Sequence, residues 1–470
     1  MPRSNPPRAA LDKELGNNKV ATATQAIQNY EESFSGLEKS ATSRELPWLR
    51  KLRQDGFARF AETGFPTLRS EDWRFTNVSA ISQTPFRLAR NGHHVPSPAD
   101  IQAYRIAGAA CQLVFVDGHF AAGLSSIGEL PAGVRVSSLA AELARDPRAI
   151  EPHLGRYLNI QRDPFSALNT AFIEDGAYVH IPKGAVLESP VHLLFISTAH
   201  DVPTVSHPRN LIVAEENSQA TIVENYVSLG RGQKALCNTV TELVAGDHSV
   251  ISHYMIEREN EQAFNVSTLR IQQGRTTDVA SHSILTGGAL VRNNVHPVLA
   301  GEGAECLING LFIGGDRQHL DNYMLVEHAS PHCGSRQFYN GILDDHAHGV
   351  FHGRIIVHKD AQKTDAKQTN RNLLLSDTAQ IDTKPQLEIY ADDVKCTHGA
   401  TIGQIEENAL FYLRSRGIDE TSARRLLLMA FASECLDRMK EGPARTYVED
   451  LIHRDLRRVA HSSQPEEQVA

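Results

Sequence analysis

The sequence predicts a mainly β protein with helical ends, in which a long β-solenoid core lies between two helical regions. From about residue 176 to Gly403, short stretches alternate apolar and polar residues and carry Gly and Pro at their joints. Helical periodicity is absent from that part of the chain, and it is present on both sides of it. The short strands are expected to be joined by polar corners rather than by tight two-residue hairpins.

The N-terminal part is predicted to be helical and irregular before the solenoid begins. Residues 1–20 are polar and Pro-rich, which is typical of disorder. Residues 21–165 are interpreted as a helical and mixed domain that also contains the apolar strand "QLVFVDGHF". An amphipathic helix is predicted there from apolar residues at three- and four-residue spacings, namely Trp48, Leu49, Leu52, Phe57 and Phe60.

Residues 166–403 are interpreted as the solenoid core. Many short strands at near-regular spacing are compatible with a sandwich, a barrel or a solenoid. We favour the solenoid, because strands separated by polar corners can wind into a parallel β-helix in which each coil buries its apolar face on the next.

Helical periodicity returns after Gly403. Residues 404–460 are predicted to form a C-terminal helical domain, and residues 461–470 a polar tail. Gly417 separates the first two helices, and either Asp419 or Thr421 is a suitable N-cap for the second.

Composition excludes several classes of function. The formal net charge of −9 argues against nucleic-acid binding. Apolar runs such as Leu426–Phe431 are too short to cross a bilayer, and the N-terminal residues do not resemble a secretory signal, so we expect a cytoplasmic protein without membrane contact. No phosphate-binding loop and no nucleophile elbow is present. Six scattered cysteines predict free thiols, most of them buried.

The stretch "EIYADDVKCTHGATIG" contains the best candidate for metal chemistry. In a strand, Cys396 and His398 point to the same side, where the two side chains can converge on one ion of a soft or borderline metal. An imidazolium near Cys396 would favour the thiolate, whereas Asp392 and Asp393 would oppose it. Two ligands make only half of a metal site, so the others would have to come from a neighbouring chain.

A second cluster supports a different interpretation. His346, His348, His352 and His358 occupy even positions, so one unbroken strand would align them, although Gly349 and Gly353 are expected to bend the chain. These histidines allow a self-contained metal enzyme. A β-helical carbohydrate-active enzyme or acyltransferase is a further alternative, supported only by its fold.

Several segments resemble the SufB/SufD family of iron–sulfur cluster assembly proteins. These are "HGVFHGRIIVHKDAQKTDAKQTNRNLLLS", "PQLEIYADDVKCTHGATIG" and "LFYLRSRGIDETSARRLLL", with "GFPTLRSEDWRFTN" near the front. The chain is more similar to the SufD type, because the segment "KQTNRNLLLSD" lacks the cysteine that SufB-type chains carry there.

The resemblance implies a non-catalytic scaffold built on a right-handed parallel β-helix with helical domains at both ends. It implies a SufB-like paralogue as partner through the β-helix and a SufC-like ATPase bound by the C-terminal helices. The sequence also leaves open a homodimer in isolation, when SufB is scarce, since an interface built for a paralogue often accepts a copy of itself. No permanently bound cofactor is implied, and His398 with Cys396 would hold transient iron or an iron–sulfur cluster at the interface with SufB.

Overall fold

The computed structural model describes residues 27–39, 46–90, 95–230, 232 and 234–462. The predicted disorder concerns residues 1–20, which lie outside the described residues. Residues 463–470 of the predicted polar tail also lie outside them. The helices are α1 (27–39), α2 (Pro47–Thr63), α3 (Ser79–Ser82), α4 (Leu139–Arg145), α5 (Pro147–Ile150), α6 (Pro164–Ala171), α7 (Glu407–Ser415), α8 (Glu420–Leu436) and α9 (Pro443–Ser462). No helix of the described residues has the length and hydropathy needed to cross a membrane.

Short strands fill the middle of the chain, as the sequence predicts. They are β1 (Arg87–Leu88), β2 (Cys111–Val116), β3 (His119–Phe120), β4 (Ser126–Ile127), β5 (Arg135–Ser138), β6 (Ala177–Ile181), β7 (Val191–Ser197), β8 (Thr204–Ser206), β9 (Arg209–Ala214), β10 (Gln219–Ser228), β11 (Ala235–Ala245), β12 (Val250–Arg258), β13 (Phe264–Gln273), β14 (Asp278–Leu285), β15 (Leu290–Leu299), β16 (Glu305–Gly314), β17 (His319–His328), β18 (Gly334–Leu343), β19 (His348–Val357), β20 (Asp365–Leu374), β21 (Gln380–Ile389) and β22 (Lys395–Gly403).

These strands form a parallel β-solenoid, which confirms the predicted fold class. One sheet runs β21-β19-β17-β15-β13-β11-β9-β6-β5, and the other runs β22-β20-β18-β16-β14-β12-β10-β7-β2-β3. From β9 to β22, successive strands of the chain alternate between two facing sheets, which are called the odd-numbered and the even-numbered sheet after these strands. The length of a turn varies, since Phe264 pairs with Leu290, 26 residues on, whereas His348 pairs with Gln380, 32 residues on.

One corner of the solenoid repeats the same backbone conformation in every turn. The second residue of this two-residue turn has a positive φ, which is uncommon for residues other than glycine. The backbone N–H of that residue donates to a carbonyl of the same corner one turn later, as from Asn217 to Asp247 at 2.9 Å and from His332 to Gln362 at 2.9 Å. These stacked corners explain the polar joints seen in the sequence, and their positive-φ residues are Asn217, His248, Thr276, Gly303, His332 and Lys363.

Apolar side chains fill the interior between the two sheets, and the helices cover the outer faces. Helices α8 and α9 bury Leu428 and Leu451 against the outer face of the even-numbered sheet. Helices α1, α2 and α6 bury aromatic residues such as Phe34 and Phe165 against the odd-numbered sheet. Over most of the solenoid, the strands are therefore covered by the interior core on one face and by helices on the other, which is typical of parallel sheets.

The last turn of the solenoid is exposed. Most residues of β21 are only half-buried, and most of β22 are exposed. Each is the terminal strand of its sheet, and no element of the described residues pairs with its outer edge. The opposite end is closed, because β2 pairs in antiparallel fashion with β3 and β4, and β5 does so with β6.

Candidate functional site

The structure places the Cys-x-His motif on β22, at the open end of the solenoid. His398 is exposed, and Cys396 is half-buried against the interior core. Because side chains alternate along a strand, both residues project from the side of β22 that faces the interior. The imidazole therefore lies at the mouth of the solenoid and is not enclosed by apolar residues.

Below His398 the interior is polar. His398 is paired in register with Gln368 on β20, and Gln368 with Gln337 on β18. The Gln368 Nε2 donates to Gln337 Oε1 at 2.8 Å, while Gln368 Oε1 and Gln337 Nε2 have no hydrogen-bond partner among the described residues. A Cβ added to Gly353 would lie 1.8 Å from Gln368 Nε2, so this glycine leaves room for the amide. The sequence alone did not reveal this column of amides.

The environment of Cys396 favours the thiol over the thiolate. Partial burial raises the pKa of Cys396, and the charge of Asp365 on β20 raises it further, while a backbone hydrogen bond from Ala366 acts in the opposite direction. The expectation that an imidazolium would favour the thiolate stays a prediction, because none of these causes involves a histidine. The opposing carboxylate is also not one of the expected pair, since Asp393 forms an ion pair with Lys363 at the corner.

The described part of the chain contains no group of three or more His, Cys, Asp and Glu side chains arranged to hold a metal ion. Cys396 and His398 together supply a sulfur and a nitrogen ligand, a combination that suits iron or zinc. That the pair is half of a metal site stays a prediction.

The four histidines of the second cluster do not converge. His348 and His352 lie on β19, where His348 contacts Asp382 at 2.8 Å and His352 contacts Gln386 at 2.7 Å. His346 precedes the strand and His358 follows it. The predicted bend is also wrong, because β19 runs unbroken through both glycines. Their missing side chains provide clearance for neighbours, as at Gly353.

The C-terminal helices differ in how firmly they pack. Helix α8 begins at the predicted cap, where Asp419 Oδ1 accepts from the Ser422 N–H at 2.9 Å. Amides of the solenoid fix its far end, since Asn340 Nδ2 donates to the Phe431 carbonyl at 2.8 Å. Within the apolar run Leu426–Phe431, Leu428 is fully buried, whereas Leu426 and Ala430 are exposed. Helix α7 contains no buried residue.

The cysteine pattern agrees with the sequence. All six thiols are free, and Cys396 is the one that is not buried; the buried ones are Cys111, Cys237, Cys306, Cys333 and Cys435.

The fold and this site together define a β-solenoid protein that has helices on both outer faces and presents a Cys-x-His motif at its open end. The chain belongs to the SufBD family: its residues 195–431 match the model described as "SUF system FeS cluster assembly, SufBD core domain", and residues 24–193 match the SufBD N-terminal region.

Similar curated proteins cover nearly the whole chain. An iron–sulfur cluster assembly SufBD family protein of Synechocystis is 33% identical over 92% of this chain and 94% of its own length. The iron–sulfur cluster assembly protein SufD of Escherichia coli is 31% identical, over 90% and 95% respectively. The chloroplastic protein ABCI7 of Arabidopsis thaliana is 28% identical, over 95% and 97%.

Proposed function

We propose that the chain is a non-catalytic, SufD-like scaffold subunit of the SUF machinery for iron–sulfur cluster assembly. It pairs with a SufB-like paralogue through the β-helix and binds a SufC-like ATPase through its C-terminal helices. Family membership and the relative named SufD support the general role. A cytoplasmic location stays a prediction.

The position of His398 carries the proposal. An exposed imidazole in the terminal strand of a sheet, beside a half-buried thiol, can be reached by ligands of a second subunit that covers this end. Edge strands with free N–H and C=O groups are also ready to pair with another chain. Ile389, Tyr390 and Ile402 expose apolar surface at the same end. Iron or a nascent cluster is the cargo that the completed junction would hold.

The ATPase is proposed to bind at α7 and the start of α8. Phe411 and Tyr412 on α7 are 74% and 58% exposed, and Leu426 on α8 is 47% exposed. Large apolar side chains exposed next to one another are typical of interaction surfaces. Because most of the run Leu426–Phe431 packs inward, this surface lies mainly on α7 rather than on that run.

The test replaces His398 by alanine in the chain co-expressed with SufB and SufC, followed by anaerobic purification and iron analysis. We expect the subunits to co-purify as before and iron binding to weaken about tenfold or more, because even losing a group that only orients a ligand has an effect of that size. Unchanged iron in this variant would contradict the assignment.

His346→Ala provides the matched control, since this exposed histidine lies near the same end but outside the motif. It should leave the iron content of the complex unchanged. Iron analysis of the lone chain separates the alternatives, because stoichiometric metal in the isolated subunit would support the self-contained metal enzyme and not the scaffold.

A further inference from the structure

A second candidate site lies on the outer face of the odd-numbered sheet, away from the Cys-x-His motif. It is a cleft of about 390 Å³ between the solenoid and the N-terminal region. Strands β13, β15, β17 and β19 form its floor, and residues 72–73 and 158–166 form its walls. Its volume falls within the range of small-molecule binding sites.

Arginines dominate the polar lining of the cleft, and two of them are already neutralised. Arg292 forms an ion pair with Asp321, and Arg354 pairs with Glu388 at 2.7 Å, both carboxylates lying outside the lining. Arg162 lies at the exposed rim.

The carboxylates of the lining are largely engaged elsewhere. Asp163 caps helix α6, where its Oδ1 accepts from the Phe165 N–H at 3.1 Å and its Oδ2 accepts from the Ser166 hydroxyl at 2.5 Å. Asp72 lies close to the Tyr323 hydroxyl, and next to burial its charge raises the pKa of Tyr323. Glu327 remains, and it is shared between Arg270 at 3.6 Å and His358 at 3.4 Å.

Arg270 is therefore incompletely neutralised inside the cleft. Burial lowers the pKa of Arg270, which shows that its charge is poorly solvated. Its Nε is buried and has no hydrogen-bond partner among the described residues. A guanidinium has five N–H donors, and a loose contact with one carboxylate satisfies few of them.

His296 lies beside Arg270 and is also unsatisfied. The two residues are paired in register on β13 and β15. The His296 Nε2 is buried without a partner in the described part of the chain, and burial lowers the pKa of His296 to about 3, so its ring is neutral. Trp73, Tyr323 and Leu325 add an aromatic and apolar wall.

We propose that this cleft binds a small-molecule oxyanion, a phosphate or a carboxylate, through the guanidinium of Arg270, with His296 and Arg162 as further donors. The planar fork of an arginine matches both groups. The wall formed by Trp73 would contact the uncharged part of the ligand. This site is independent of the proposed scaffold function, because it shares no residue with the open end of the solenoid.

The test is calorimetric titration of the full chain with pyrophosphate and, separately, with citrate, each compared with NaCl at the same ionic strength. Trp73 serves as a local reporter in a Trp48→Phe background, since the chain has only two tryptophans. We expect saturable binding that alters Trp73 fluorescence, and the tighter probe identifies the ligand as a phosphate or a carboxylate.

Arg270→Met should weaken binding about tenfold or more, because a hydrogen-bonded charge is lost while the apolar stem is kept. Arg275→Met is the matched control, because this exposed arginine pairs with Asp247 far from the cleft lining, and it should bind as the parent does. If Arg270→Met does not fold, the exposed Arg162→Met carries the test, with an expected weakening of about two- to fivefold. Heats no larger than those of NaCl, or parental affinity in both Arg270→Met and Arg162→Met, would overturn the proposal.

Discussion

Replacing Glu242 by glutamine tests the buried ion pair that joins the N-terminal region to the solenoid. Glu242 on β11 and Arg209 on β9 are both fully buried, and their Oε1 and Nη2 atoms are 2.6 Å apart. The Glu242 carboxylate also accepts from the backbone N–H of Gly155 at 2.7 Å and of Tyr157 at 3.3 Å. Arg209 in turn donates to Asn169 on α6 at 3.0 Å.

The substitution keeps the shape of the side chain but leaves the Arg209 charge uncompensated in the interior. Removing one partner of a buried pair lowers the free energy of unfolding by about 3–5 kcal/mol. The glutamine amide would also turn its own N–H toward the backbone N–H of Gly155 or Tyr157, so that one of these donors loses its acceptor. We therefore expect a loss in the upper part of that range. Such a loss is a large fraction of the roughly 5–15 kcal/mol by which domains are stable.

Urea denaturation followed by far-UV circular dichroism measures the change. Asp247→Asn is the control, because Asp247 pairs with Arg275 at the surface, where ion pairs contribute about 1 kcal/mol or less. The double variant Arg209→Met with Glu242→Leu should be more stable than Glu242→Gln, since it leaves no unpaired charge. A loss for Glu242→Gln no greater than that for Asp247→Asn would refute the reasoning.

Two further predictions concern pH and partner binding. Burial raises the pKa of Glu259 to about 7. Between about pH 5 and 7 the folded chain therefore keeps the proton on this carboxyl, whereas the unfolded chain has released it. The free energy of unfolding consequently falls by roughly 1.4 kcal/mol per pH unit as pH rises through that window. Because Glu257 is buried beside Glu259 and burial raises its pKa as well, Glu259→Gln should reduce the pH dependence of the urea midpoint over that window without abolishing it, and an unchanged slope would contradict the assignment. Phe411→Ser with Tyr412→Ser should change the stability of the lone chain by no more than about 0.5 kcal/mol, because both side chains are exposed. The same pair should weaken capture of SufC, whereas Leu68→Ser, which changes an exposed leucine outside α7, should not. Intact capture would exclude α7 as the docking surface.

The sequence predicted the fold class because the hydrophobic period itself changes at the ends of the solenoid. It also gave Asp419 as one of two alternative caps for α8, and it predicted the burial of most cysteines, since both follow from local chemistry. Two Asn-Gly pairs do not form the hairpin turns in which this dipeptide is common. They lie inside β16 and β18, where Gly310 and Gly341 leave room for the rings of Tyr339 and Phe312.

The contacts between turns could not be predicted, because turn length varies: it is 26 residues from Phe264 to Leu290, 32 from His348 to Gln380 and 33 from Tyr178 to Leu211. A shift of one residue moves every side chain of a strand to the other face. The pairing of His398 with Gln368, or of Arg270 with His296, therefore depends on register that the pattern of apolar residues leaves open. Strands buried on both faces add to this ambiguity, since they lack a polar side that would mark the exterior.

The two free edges at the open end are protected to different degrees, and the difference indicates which one is available for pairing. Strand β21 carries Asp382, Lys384 and Glu388 together with Pro385, and charges and proline are the usual means by which edge strands avoid association. In β22 only Lys395 carries a permanent charge, and proline is absent. A partner strand would therefore add to β22 rather than to β21. Because the Cys-x-His motif lies in β22, the same pairing that covers this edge would bring the partner's side chains next to the imidazole.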